Sequence, residues 1–156
     1  MNRSLTNAGF GIALLALTVT MGAAAPSTGH AHDNEPVITV YRDPSCGCCK
    51  SWITHLIKHS YQVVDKTSDE MAEIKRGLGV PENLQSCHTG VVNGYVIEGH
   101  VPAADITRLL KEKPTVVGIA VPGMPVGSPG MEGSRVDRYD VIAFKKDGKT
   151  EVYAKH

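Results

Sequence analysis

Cys46-Gly47-Cys48-Cys49 stands between two segments of different periodicity, and that position constrains the fold more than any other feature of the chain. On its N-terminal side Val37-Ile38-Thr39-Val40-Tyr41 is β-branched and apolar, as a buried strand is. On its C-terminal side Trp52, Ile53, Leu56 and Ile57 fall at helical spacing, a pattern that ends near Ser60. Arg42-Asp43-Pro44-Ser45 supply turn residues and a candidate helix cap between the two. The cysteines are therefore expected at a strand-to-helix junction, where unpaired backbone N–H groups favour an anion.

The rest of the chain extends this into a repeating α/β order. Tyr61-Gln62-Val63-Val64-Asp65 predicts a second strand, and a helix is expected from about Ser68 to Leu78, closed by Gly79 and Pro81. Ser86-Cys87-His88-Thr89 reads as a loop, followed by two short strands over Gly90 to Ile97 around the hairpin signal Asn93-Gly94. Pro102 opens a helix from Ala103 to Lys111, with Asp105 near its start and Lys111 and Lys113 near its end. The order β-α-β-α-β-β-α is that of a thioredoxin-like α/β fold, with residues 37–113 as its core. Residues 114–156 form a C-terminal extension. Within it, Val116 to Gly133 carries too much Gly and Pro for a helix and predicts an ordered Gly/Pro/Met-rich loop across the domain face. Tyr139 to Phe144 and Thr150 to Ala154 flank Asp147-Gly148 as a final β-hairpin.

The first 25 residues have the pattern of a secretory signal peptide. A basic start at Arg3 is followed by an apolar run from about Phe10 to Met21 and then by Gly22-Ala23-Ala24-Ala25. Cleavage is expected between about residues 24 and 31, leaving residues 26–36 as a flexible lead-in that holds His30 and His32, two loose metal-binding candidates. The expected location is the periplasm, with no membrane association after cleavage. Sixteen basic and sixteen acidic side chains leave no net charge to attract nucleic acid. A monomer is expected, because no sustained apolar face is left beyond the core.

Export also changes how four cysteines are read, since an oxidising compartment permits disulfides. Three of the four lie within four residues, which is a poor framework for stapling distant parts of a chain. Chemistry fits better than scaffolding. Cys46 and Cys49 have the C-x-x-C spacing of a dithiol couple, in which Cys46 attacks and Cys49 resolves. These two are the candidate catalytic residues. In thioredoxin folds the loop facing this motif usually presents a cis-proline to a peptide substrate. Here it carries Cys87 and His88 and no proline, which favours a metal over a peptide. Cys46, Cys48, Cys49, Cys87, His88, Met124 and Met131 are the candidate ligands. Thiolates with thioethers select Cu(I), whereas zinc has no need of methionine. Met124 and Met131 are equally consistent with filling gaps in the loop, and His88 with a loop hydrogen bond. His55 reads as a surface residue, and His59, His100 and His156 as structural or solvated.

The C-x-C-C motif, Trp52, Cys87-His88-Thr89, Gly94-Tyr95, Glu98 to Ala103, and the segments Ala120 to Pro125 and Ser128 to Gly133 closely resemble the periplasmic CopG-type copper-resistance family. The resemblance runs from about Val37 to Phe144. It implies a thioredoxin-like domain whose extension helps bind copper, with Cys46, Cys48, Cys49 and Cys87 bridging several copper ions. It also implies an oxidoreductase role interconverting Cu(I) and Cu(II). Two other functions compete: a Cu(I) chaperone or buffer handing copper to efflux components, and a metal-free dithiol-disulfide oxidoreductase of the envelope.

Overall fold

In a computed structural model, residues 35–156 are described and lie in one compact unit. The signal-peptide expectation, His30, His32 and most of the lead-in lie outside the described residues. Among the described residues no helix is long and apolar enough to cross a membrane.

Seven strands form one sheet in the order β2-β1-β3-β4-β5-β6-β7. The chain runs β1 (Val37–Arg42), α1 (Gly47–Lys58), β2 (Gln62–Thr67), α2 (Met71–Gly77), a 3-10 turn (Glu82–Leu84), β3 (His88–Val92), β4 (Tyr95–Glu98), α3 (Ala103–Glu112), β5 (Gly118–Ala120), β6 (Asp140–Phe144) and β7 (Thr150–Lys155). The order β-α-β-α-β-β-α expected up to α3 is therefore present. β1 pairs parallel to β2 and antiparallel to β3, and β3 pairs antiparallel to β4. The Asn93-Gly94 turn has positive φ at both residues, as a two-residue hairpin requires.

Three local expectations change. Thr89 and His88 belong to β3 rather than to a loop. Cys46 itself caps α1, its Sγ accepting the Cys49 N–H at 3.3 Å, so the cap lies one residue beyond the Asp43–Ser45 turn. Within the segment expected to be an irregular loop, Gly118–Ala120 is a buried strand. It pairs parallel to β4 and antiparallel to β6, so two neighbours supply the backbone partners that a three-residue run could not secure alone. The extension thus continues the sheet as well as crossing its face.

Alternation along the strands sorts their side chains onto two faces. Ile97, Ile119, Val141 and Ala143 face the core that holds Trp52 and Leu56 of α1 and Ile106 and Leu109 of α3. Val96, Ala120 and Phe144 face a smaller cluster completed by Val80 and Leu84. This alternation decides where the chemistry sits. His88 and its neighbour Gly90 turn toward Trp52, whereas Thr89 between them turns toward α2.

Candidate metal centre

The turn that presents the cysteines is held from both ends. Arg42 closes β1 with its guanidinium buried, bonding Asp65 of β2 through Nε at 2.9 Å and Nη2 at 2.6 Å. Its Nη1 donates to the carbonyls of Asp43 and Pro44. Asp43 accepts from Ser45 N at 2.7 Å and Ser45 Oγ at 2.5 Å, bonds that hold its carboxyl below the usual carboxylate range. The chain therefore enters α1 in a fixed turn, with Cys46 at the first cap and Cys49 one turn inside.

Cys46 and Cys49 are joined by a disulfide, with Cα atoms 5.4 Å apart. Cys49 is fully buried and Cys46 partly exposed. Cys48 and Cys87 are free thiols. Cys48 Sγ lies 3.5 Å from Cys46 Sγ and 3.9 Å from Cys87 Sγ. All four sulfurs lie within 4.8 Å of one another. The structure therefore gathers the four cysteines, separated by up to 41 positions in sequence, at one point between α1 and β3.

Cys87 also belongs to a second group, with His88 and His100, whose ligating atoms again lie within 4.8 Å of one another. Both imidazoles are fully buried. His100 Nδ1 is 2.8 Å from the Pro129 carbonyl and must donate to it, so its Nε2 is bare and accepts from the Cys87 thiol at 3.1 Å. His88 Nδ1 then donates to Cys87 Sγ at 3.2 Å. That assignment leaves His88 Nε2 bare, and this atom has no hydrogen-bond partner among the described residues. Burial, with His100 and Lys75 nearby, holds His88 well below the ordinary imidazole range, and burial lowers His100 too. Burial and the neighbouring Cys48 push the Cys87 thiol up to about 12. The site thus offers neutral imidazoles and a thiol whose proton a soft metal ion would displace.

A buried polar network behind β3 fixes Cys87 from the opposite face. Lys75 Nζ bonds Glu98 Oε1 at 2.6 Å and Thr89 Oγ1 at 2.9 Å, and Thr89 donates to Glu98 Oε2 at 2.6 Å. Glu98 Oε1 also accepts the backbone N–H of Ser86 at 2.7 Å. One carboxylate therefore anchors the residue before Cys87, the strand after it and α2. Gly99 completes the approach with φ +71°, because a Cβ there would lie 2.6 Å from both Ser86 Cβ and the Val121 carbonyl.

The Gly/Pro/Met-rich loop closes over this cluster at three backbone points. Ser86 Oγ donates to the Gly123 carbonyl, the Pro129 carbonyl binds His100, and Gly130 packs on Trp52 N and the Cys48 carbonyl. Met124 and Met131 each follow one of these contact residues directly. The Met124 side chain is 52% exposed and Met131 is partly buried.

One histidine expectation is sharpened and one corrected. His100, read as structural or solvated, is the former, fully buried with its ring against Cys87. Its signal in sequence was only its place in Glu98-Gly99-His100, since register with Cys87 depends on β3 pairing with β4. His55, read as a surface residue, is partly buried, and its Nε2 accepts the Ala103 N–H at 3.1 Å at the start of α3. His59 is exposed, and its Nδ1 lies 2.8 Å from the His55 carbonyl, while His156 pairs with Asp105 at 2.7 Å. Lys75 carried no sequence signal for the site and Glu98 none beyond its place in the Glu98 to Ala103 segment, because charged residues in a helix and at a strand end usually face solvent.

Residues 84–131, from Leu84 through Cys87 and His100 to Met131, match the family described as a protein of unknown function, DUF411. No curated protein matches the chain. Two solved structures of copper resistance protein CopG, Form 2 and Form 1, are similar to it at 50% and 52% sequence identity, with TM-scores of 0.75 and 0.74. Each comparison covers 78% of this chain and 98% of the solved one. With half of the residues identical over nearly the whole of those chains, this protein belongs to the copper resistance protein CopG family.

Proposed function

We propose that this protein is a periplasmic copper-binding protein of copper resistance, built on a thioredoxin-like core and acting as a copper/thiol oxidoreductase that interconverts Cu(I) and Cu(II). The observation that carries the reading is the convergence of four sulfurs within 4.8 Å where a thioredoxin-like enzyme would keep a two-cysteine couple. The donor set fits the metal: thiolates are soft, and the buried His88 imidazole, whose Nδ1 lies 3.2 Å from Cys87 Sγ, adds a borderline nitrogen donor beside them. Cys46, Cys48, Cys49 and Cys87 are the proposed bridging ligands. His88, Met124 and Met131 complete them in this reading, and His100 orients Cys87. Several bridged ions also relieve the awkward geometry of adjacent Cys48 and Cys49, since each sulfur need not point at a single centre. Cys46 and Cys49 are the proposed redox pair, able to give up two electrons on forming their disulfide.

Belonging to the CopG family supports the copper assignment and the periplasmic location, and efflux components of the envelope are natural recipients of the metal. The test is metal content and absorption of the mature protein loaded anaerobically with Cu(I), then oxidised and re-reduced, beside Cys46→Ser. Several coppers per chain with visible bands that come and go reversibly are expected for the wild type and not for the variant. Cu(I) retained without redox cycling would make the protein a chaperone or buffer. Absence of tight copper, with reduction of insulin disulfides, would leave a metal-free dithiol enzyme.

A further inference from the structure

The disulfide already engages Cys46 and Cys49, yet two free thiols remain beside it. Cys48 and Cys87 are both partly exposed, and their sulfurs are 3.9 Å apart. A disulfide needs about 2.05 Å between sulfurs, so the bond requires these two to approach by about 2 Å. The fold has brought these residues together across 39 positions, so the cost of closing that loop is met by folding rather than by oxidation. The other sulfur within reach of Cys48, that of Cys46 at 3.5 Å, is held in its own disulfide. Cys87 is equally confined. Its remaining polar neighbours are Ser86 and the imidazoles of His88 and His100, and none of these forms a bond with an oxidised sulfur.

We infer that Cys48 and Cys87 are a second disulfide couple, so that the centre is a four-electron thiol store able to reduce four Cu(II) ions per chain rather than two. This rests on the copper oxidoreductase reading for its oxidant. Each couple balances separately. Two thiols and two Cu(II) ions give one disulfide, two Cu(I) ions and two protons released to water. Cys46 and Cys49 form the first bond, and Cys48 and Cys87 the second. The second step has a further consequence. With both disulfides formed no thiolate remains to hold copper, so complete oxidation empties the sulfur site of its product and re-reduction restores it.

The experiment titrates the fully reduced, metal-free mature protein with Cu(II) under nitrogen in the presence of a chromogenic Cu(I) chelator, then alkylates and digests it. Four Cu(I) per chain and no alkylated cysteine are expected. A tryptic cross-link is also expected between residues 43–50, which hold the three clustered cysteines, and residues 77–108, which hold Cys87. Cys48→Ser and Cys87→Ser should each halve the yield to two, abolish the cross-link and leave the Cys46–Cys49 bond. Two Cu(I) per chain with two alkylated cysteines in the wild type would overturn the inference and leave the copper reading standing. Failure to reduce Cu(II) at all would sink the copper oxidoreductase reading and the four-ion capacity with it. A parallel titration with diamide, which needs no metal, then decides the second disulfide: four thiols lost with the cross-link supports it, and two thiols lost overturns it.

Discussion

Cys87 is the residue on which the site turns, because it belongs to both clusters of ligating atoms. Its thiol is raised to about 12 in the fold, whereas an unfolded chain exposes it at its ordinary value of 9.0. A folded thiol that ionises later than an unfolded one contributes stability that is complete below the unfolded value and is lost as pH climbs toward the folded one. The stability of the metal-free protein with its Cys46–Cys49 disulfide intact should therefore fall between about pH 9 and 12, and Cys87→Ala should flatten that fall in urea denaturation at stepped pH. A wild-type curve as flat as the variant's would contradict the assigned environment. At this scale the sequence was informative about the cysteines and silent about their partners. Cys46, Cys48, Cys49 and Cys87 announced themselves by clustering and by the missing proline. His100 did not, because a histidine between Gly99 and Val101 looks the same whether it faces solvent or a thiol.

Among the elements, α1 and the Gly/Pro/Met-rich loop meet by a close backbone approach at Gly130. Gly130 has φ +83°, and a Cβ on it would sit 2.7 Å from Trp52 N and 3.0 Å from the Cys48 carbonyl. Gly130→Ala should cost at least about 1–2 kcal/mol for the left-handed backbone alone, and more for the clash with the first turn of α1. It is expected to lower both thermal stability and copper uptake. Gly47→Ala is the control: it lies inside the cysteine motif, yet a Cβ there meets nothing within 4 Å, so stability should hold. Equal losses in the two variants would contradict the docking of the loop. The helices and hairpins of this chain were legible because Trp52, Leu56 and Asn93-Gly94 carry local signals. β5 was not, since Gly118-Ile119-Ala120 becomes a strand only by lying between β4 and β6. Its state is set by tertiary pairing that no window of sequence contains.

At the scale of the whole molecule, the buried Lys75–Glu98 pair ties α2, β3, β4 and the Cys87 loop together from the face opposite the metal centre. Lys75→Met would leave Glu98 buried without its cation, and removing one partner of a buried pair costs about 3–5 kcal/mol. The expected result is a large drop in unfolding free energy with the cysteines still in place. A drop under about 1 kcal/mol, the value of an exposed pair, would contradict the burial of this one. The order of elements was readable from alternating periods, but this network was not. It depends on Thr89 and His88 taking opposite faces of one strand, so that the same five residues of β3 serve the network on one side and the proposed metal centre on the other. That arrangement makes the proposed metal site one structural unit rather than four incidental thiols. Copper K-edge X-ray absorption of the Cu(I)-loaded mature protein, recorded beside Cys48→Ser and Cys87→Ser, tests it most directly. Sulfur-dominated copper ligation with copper neighbours is expected, and a loss of the copper–copper signal in both variants. A nitrogen- and oxygen-dominated shell unchanged by either substitution would place copper elsewhere and contradict it.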